Sequence, residues 1–356
     1  MSFLARALRG GDSSPKGPKR INLALQGGGT HGAFTWGVLD HLLQDGRLSF
    51  DGISGTSAGA VNAVMLADGI KRGGVDEARK RLADFWKAAS LGGDLPELQR
   101  NVLSRLFSLS TQPGLDWLSA WSRYLSPYDV NPLNINPLKD LIERFVDFEG
   151  LRADPRPLFI AATAVQTGRL HIFPHDKISA EAVMASACLP AVFQAVEIDG
   201  AHYWDGGYLG NPVIFPFFRA TETEDVLIVQ INPLERKKIP HSTREIMARV
   251  NEITFNSALM AELRAIEFVN RLIDQRRLPH GTGPKQYRHI KVHRIVMDGL
   301  GEHFSAADKL RNDFESLELL HKLGQRAARR FLDAHYADIG VRSSVDLKAE
   351  VGLERG

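Results

Sequence analysis

The sequence predicts an α/β protein built on a mainly parallel sheet, and three observations carry that prediction. Largely apolar runs at residues 21–25, 158–165 and 226–231 have the composition of strands buried on both faces. Two strand candidates end in glycine-containing turns that open directly into helical patterns: Gln26-Gly27-Gly28-Gly29-Thr30-His31-Gly32, and Gly55-Thr56-Ser57-Ala58-Gly59. Amphipathic stretches alternate with strand candidates through a chain of 356 residues, long enough to bury a sizeable core.

In chain order, residues 1–19 read as a flexible tail of small, charged and breaker residues, too short in its apolar part for a signal-peptide core. Strand 21–25, the glycine loop and a helix over 33–43 form a first βα unit, closed by Asp45-Gly46. A short strand at 50–53, the Ser57 turn and a helix over 58–66 form a second. A helix follows over 73–89, with Val75, Ala78, Leu82, Phe85 and Trp86 on one face. Residues 91–135 change character: Leu95, Leu98, Trp117 and Trp121 are interrupted by Gly92-Gly93, Pro96, Pro113-Gly114 and Pro127. This reads as a helical cap or lid inserted between core elements, with ordinary helical packing as the alternative. Then come a helix over 136–148, strands at 158–165 and 169–173, and a helix of small residues over 179–187. Strands 196–198 and 201–204 flank Asp199-Gly200, a two-residue hairpin signal. Strand 226–231, a long helix over 243–272, a strand at 289–297 and helices over 306–336 complete the domain, taken as 20–336 with 240–336 as its C-terminal elements. Residues 337–356 read as a polar tail.

A serine between two glycines at a strand-to-helix junction suits a nucleophile elbow, since the turn is strained and its flanks must be small. There the helix dipole favours a developing alkoxide or oxyanion. Gly27, Gly29 and Gly32, with Asp51 about 20 residues on, also satisfy a dinucleotide-binding pattern. We reject that reading because Asp51 is followed at once by the elbow. The alternative is an oxyanion hole: the amides of Gly27, Gly28 and Gly29, uncovered by side chains, converge beside Ser57 when two adjacent βα units lie side by side.

Two arrangements could activate Ser57. One is a triad with Asp205 and either His293 or His303, against which stands the single βα unit before the elbow. The other is a dyad in which Asp205 takes the proton directly, aimed by Gly206 and Gly207 and helped by burial that raises its pKa.

Taken together, Gly27-Gly28-Gly29-x-x-Gly32, Gly55-x-Ser57-x-Gly59 and Asp205-Gly206-Gly207, in this order, resemble the patatin-like phospholipases. The run Ala185-Ser186-Ala187-Cys188-Leu189-Pro190 with Phe193, and Asn136-Pro137-Leu138 before a helix, are similar to that family too; the resemblance spans roughly residues 20–232. It implies a three-layer α/β/α fold, a Ser57–Asp205 dyad, an oxyanion hole at Gly27–Gly29 and lipid acyl hydrolysis with neither metal nor cofactor. One departure is His31, where the family usually carries Arg or Lys, which bears on headgroup preference rather than on the dyad.

Bulk properties narrow the rest. Lys+Arg 44 against Asp+Glu 42 gives a formal charge of +2, too balanced to point to nucleic acid. The single Cys188 precludes an internal disulfide and fits a reducing compartment. It reads as packing. His171 with His175 and His289 with His293 are four apart but lie on strand or loop patterns, so no metal site is expected. The cluster Arg277, Lys285, Arg288 and Lys291 reads as a solvated face, with anionic lipid as the alternative. The chain is therefore expected to be a cytoplasmic serine lipid acyl hydrolase of phospholipase A or lysophospholipase type, a carboxylic ester hydrolase that meets membranes peripherally. A soluble thioesterase and a silent lipid-binding regulator are the alternatives.

Overall fold

The computed structural model describes residues 17–90, 126–131, 134, 136–190, 192–236, 238–283, 285–297 and 313–352. Most of the expected tail at 1–19, nearly all of the expected cap at 91–135, and His303 lie outside the described residues.

Eight strands form one sheet: β1 (Lys19–Leu25), β2 (Leu48–Thr56), β3 (Leu158–Ala164), β4 (Arg169–Phe173), β5 (Val196–Ile198), β6 (Ala201–Asp205), β7 (Asp225–Gln230) and β8 (Lys291–Val296). Strands β3, β2, β1, β7 and β8 run parallel in that spatial order, while β4, β5 and β6 make the antiparallel part. The central strands alternate their apolar side chains between two cores. Ile21, Leu23, Leu25, Leu227 and Val229 face one; Ala24, Val226, Ile228 and Val292 face the other. Both faces are therefore covered, as a parallel sheet requires.

The first face carries α1 (Gly32–Asp45), α2 (Ala58–Ala89), α3 (Pro137–Phe145), α4 (Ala180–Ser186) and α6 (Phe314–His335); the second is covered by α5 (Thr243–Asp274), with Leu259, Leu263 and Ile266 inward. Helix α2 joins the two helices expected separately, kinked at Gly73–Gly74, where Gly74 has φ +72°.

The expected polar tail is corrected by the structure as far as residue 352. Ile339 and Leu347 are buried, and a short helix, α7 (Leu347–Glu350), docks on the second face. Polar anchors hold this segment: Gly340 N–H donates to Asp225 Oδ1 at 2.7 Å, Ser344 N–H to the Val292 carbonyl at 3.1 Å, and Arg294 pairs with Glu350.

Sheet register positions the site. Strand β3 has two edges. β4 occupies one along Ile160–Ala164, so β2, paired over residues 158–161, and β6, paired over 162–164, share the other. Thr56 sits opposite Ala161 and Asp205 opposite Ala162. The two strands run in opposite directions and meet end to end, which brings the residue after β2 against the last residue of β6.

Candidate active site

Ser57 follows β2 and caps α2 with φ +54° and ψ −122°, a conformation L-residues rarely adopt. Its N–H donates to Ser186 Oγ at 2.8 Å, so the end of α4 braces the elbow. Crowding leaves no alternative to glycine at Gly59, where a Cβ would stand 2.2 Å from the Leu25 carbonyl oxygen.

Asp205 is fully buried. Its N–H donates to the Cys188 carbonyl at 2.7 Å, and its own carbonyl accepts from Thr163 Oγ1 at 2.9 Å, so the backbone is held from both sides. Gly207 N–H donates to Oδ1 at 2.7 Å. The second carboxylate oxygen, Oδ2, closes no hydrogen bond of standard geometry among the described residues. Burial drives the Asp205 pKa up to about 7, against the opposing pull of the Gly207 amide and the Ser57 hydroxyl. The carboxyl is thus poised near neutrality, with one oxygen uncommitted and the serine hydroxyl as its neighbour.

The glycine loop lies against the elbow. A Cβ on Gly27 would fall 2.6 Å from Ser57 Cβ and 2.5 Å from the Thr56 carbonyl oxygen. Gly29 has φ +59° and starts the short 3-10 turn into α1. The three amides of the expected oxyanion hole are not equivalent. Gly27 N–H is already spent on Asn211 Oδ1 at 2.6 Å. The N–H groups of Gly28 and Gly29 have no acceptor among the described residues. Gly32, Gly55, Gly206 and Gly207 are all close-packed at the same junction: a Cβ on Gly55 would meet Gly59, and one on Gly206 would meet the Ala161 carbonyl oxygen.

Several polar residues here carry no local signal in the sequence. Gln26 is fully buried: its Oε1 accepts from the N–H groups of Ile231 and Asn232 at 2.8 Å each, and its Nε2 donates to Asn256 Oδ1 at 2.9 Å. Asn232 Nδ2 donates to the Gly27 carbonyl at 2.7 Å. The loop carrying Asn211 is stitched to β2 by Thr56 Oγ1 on the Gly210 carbonyl and Ser54 Oγ on the Val213 carbonyl, both at 2.6 Å.

The other candidates lie elsewhere. His293 is fully buried but bonds Asp225 Oδ1 at 2.9 Å and Ser344 Oγ at 3.3 Å, so it does not complete a triad with Ser57. Asp51 accepts from the backbone of Glu222 and Thr223 and pairs with Arg20, which leaves it no place in a dinucleotide site. His171 packs against Phe173 and Tyr203. Cys188 is buried, its thiol on the Gln194 carbonyl and its pKa pushed up to about 12 by burial and the nearby Asp205. Arg288 and Lys291 of the basic cluster are engaged with the Glu222 carbonyl and Glu224. No helix among the described residues is long and apolar enough to cross a membrane.

Comparison with known proteins agrees with this geometry at the level of family. No curated protein sequence matches the chain. Among solved structures, VipD from Legionella pneumophila is similar at 15% identity and TM-score 0.39, over 89% of this chain and 67% of that one. The ExoU–SpcU complex of Pseudomonas aeruginosa is similar at 20% identity and TM-score 0.28, over 68% of this chain and 51% of that one. The family model described as patatin-like phospholipase matches residues 23–218, more than half of the chain and the whole interval from the glycine loop to Asp205. The protein belongs to the patatin-like phospholipase family.

Proposed function

We propose that the protein is a serine acyl hydrolase of lipid esters working through a Ser57–Asp205 dyad. The observation that carries this reading is the end-to-end meeting of β2 and β6. It sets a strained serine beside a buried carboxyl whose pKa is raised to about 7 and whose Oδ2 is uncommitted. Ionised Asp205 takes the Ser57 proton as Oγ attacks the ester carbonyl. The tetrahedral oxyanion is stabilised by the amides of Gly28 and Gly29 and the amino end of α2. Collapse expels the alcohol, which leaves with the proton from Asp205. Water then repeats the sequence and releases the fatty acid. A carboxylate is a weak base towards an alcohol, so the raised pKa is part of the mechanism rather than an accident of burial.

A lipid rather than a soluble ester is favoured by the outer surface of α5. Ile246, Met247, Val250 and Ile253 are exposed there, on the helix whose Phe255 packs on Tyr208 beside the dyad. That surface suits peripheral contact with a bilayer.

The test is hydrolysis of a chromogenic acyl-ester series and of phospholipid vesicles by wild type, Ser57→Ala and Asp205→Asn, with and without chelator. We expect turnover by wild type, background rates for both variants, no chelator effect, and a gain in rate on vesicles. Retention of full rate by Ser57→Ala would overturn the assignment; equal rates on monomeric and aggregated substrate would favour a thioesterase.

A further inference from the structure

Gly27 is gripped on both of its polar groups. Its N–H donates to Asn211 Oδ1 at 2.6 Å, while its carbonyl accepts from Asn232 Nδ2 at 2.7 Å and from Asn211 Nδ2 at 3.3 Å. Asn211 is fully buried and Asn232 nearly so. Gln26 and Asn256 hold the backbone of these two asparagines in turn: Gln26 Nε2 donates to the Asn211 main-chain carbonyl at 3.3 Å, and Asn256 Nδ2 to the Asn232 main-chain carbonyl at 3.4 Å. Five buried amide side chains around one glycine, counting Gln230 on Asn256 Oδ1 at 3.4 Å, are more than a loop needs merely to be satisfied.

The consequence follows from peptide geometry. The Gly27 carbonyl and the Gly28 N–H belong to one planar unit and point in opposite directions when it is trans. Two donors on the carbonyl therefore fix the direction of the Gly28 N–H, turning it away from the asparagines and leaving it without an acceptor among the described residues. The same two bonds polarise the peptide, which makes that N–H a stronger donor.

We propose that Asn211 and Asn232 are positioning residues for the oxyanion site: by clamping the Gly27–Gly28 peptide they aim and polarise the Gly28 N–H at the charge that develops on the carbonyl oxygen bound to Ser57. This rests on the acyl-hydrolase reading above. Neither asparagine touches the reacting atoms; both act through the glycine. Asn211 also ties the two halves of the site together, since it follows the Asp205 turn by a few residues in the loop that is itself stitched to β2.

The test uses the full chain with Asn232→Leu, which removes one donor at nearly constant size, and Asn211→Asp, which keeps the acceptor for Gly27 N–H but removes the other donor. Both are measured for folding by thermal melt, for kcat and KM on a short-chain ester, and for Ki of an acyl trifluoromethyl ketone, which forms a tetrahedral adduct on the serine. We expect kcat to fall by about tenfold or more, with KM within about twofold and Ki weakened in proportion to the loss in kcat. If either variant melts early, the other carries the measurement, and the parallel between kcat and Ki remains diagnostic because a merely structural role would not produce it. Folded variants that keep wild-type kcat and Ki, or that change KM alone, would sink the clamp while leaving the dyad untouched. A wild type that neither turns over ester nor binds the ketone would sink the hydrolase reading, and the clamp with it.

Discussion

Two buried aspartates, Asp205 and Asp40, show opposite uses of the same side chain. Asp40, on α1, is only 7% exposed yet fully engaged: Arg79 Nε and Gln325 Nε2 each reach it at 2.6 Å, and His321 Nε2 lies at 3.2 Å. Burial alone pushes its pKa up, but the bonds from His321, Arg79 and Gln325 and the charge of Arg79 prevail and bring it down to about 2. Asp205 is still more deeply buried, has one backbone donor and only the Ser57 hydroxyl beside its other oxygen, and rises to about 7. The comparison teaches that burial sets the cost of charge and the partners decide whether it is met. A carboxylate that ties three helices together is saturated. The one proposed as the base is left with few partners.

The largest expected effect breaks the comparison at Asp205. Asp205→Asn should lower kcat/KM by about three orders of magnitude or more, since no base remains for Ser57. The same variant should melt at a higher temperature than wild type at pH 8. The sign follows from the raised pKa: ionising Asp205 costs the folded state stability as pH rises from about 4, the unfolded value, to about 7. Near pH 4, where the wild-type acid is neutral, calorimetry should find little difference. A variant that loses activity and also loses stability at pH 8 would argue that Asp205 is structural.

Next comes pH itself. Because the base must be ionised, kcat/KM should rise with pH to a plateau above about 7 and sit about a hundredfold lower at pH 5. A profile flat from pH 5 to 8 would remove Asp205 as the titrating base. At the other aspartate, Asp40→Asn should cost about 2–4 kcal/mol in denaturant unfolding at pH 7, leaving Arg79 without its carboxylate, with kcat unchanged. Asp40's own contribution is present above about pH 4 and lost as pH falls towards 2. The smallest effect sharpens the elbow: Ser186→Ala removes the acceptor for Ser57 N–H and should reduce kcat by about three- to tenfold, with KM unchanged. No change in kcat would mean that backbone strain alone holds the serine.

What could be read from the sequence divides along the same physical line. The elbow was legible because local crowding dictates residue types: Gly55 and Gly59 tolerate no Cβ, and Asp199-Gly200, at φ +52° and +78°, is a turn that announces itself. The antiparallel hairpin and the buried parallel strands follow from alternation and apolar runs for similar reasons. Asn211, Asn232, Gln26 and Ser186 were not legible as site residues, because their partners lie far along the chain and an asparagine in a loop looks the same whether it meets water or a peptide. The partner of the Gly27 amide was hidden for that reason: it lies 184 positions away. The segment after residue 337 misled differently. Its polar composition suggests a tail, but the N–H groups of Gly340 and Ser344 and the Glu350 carboxylate are answered by Asp225, Val292 and Arg294 on the sheet.

The glycine clamp also bears on when the protein becomes competent. The glycine flanks of the elbow lie close in sequence, whereas its brace, Ser186, lies 129 residues beyond Ser57. Its oxyanion geometry waits for Asn211 and Asn232, which lie 184 and 205 residues beyond Gly27 and reach it only through long-range closure. During synthesis, a chain that has emerged as far as Ser57 carries the proposed nucleophile without its proposed base or clamp. On the proposed reading, activity is acquired only once these long-range contacts have closed.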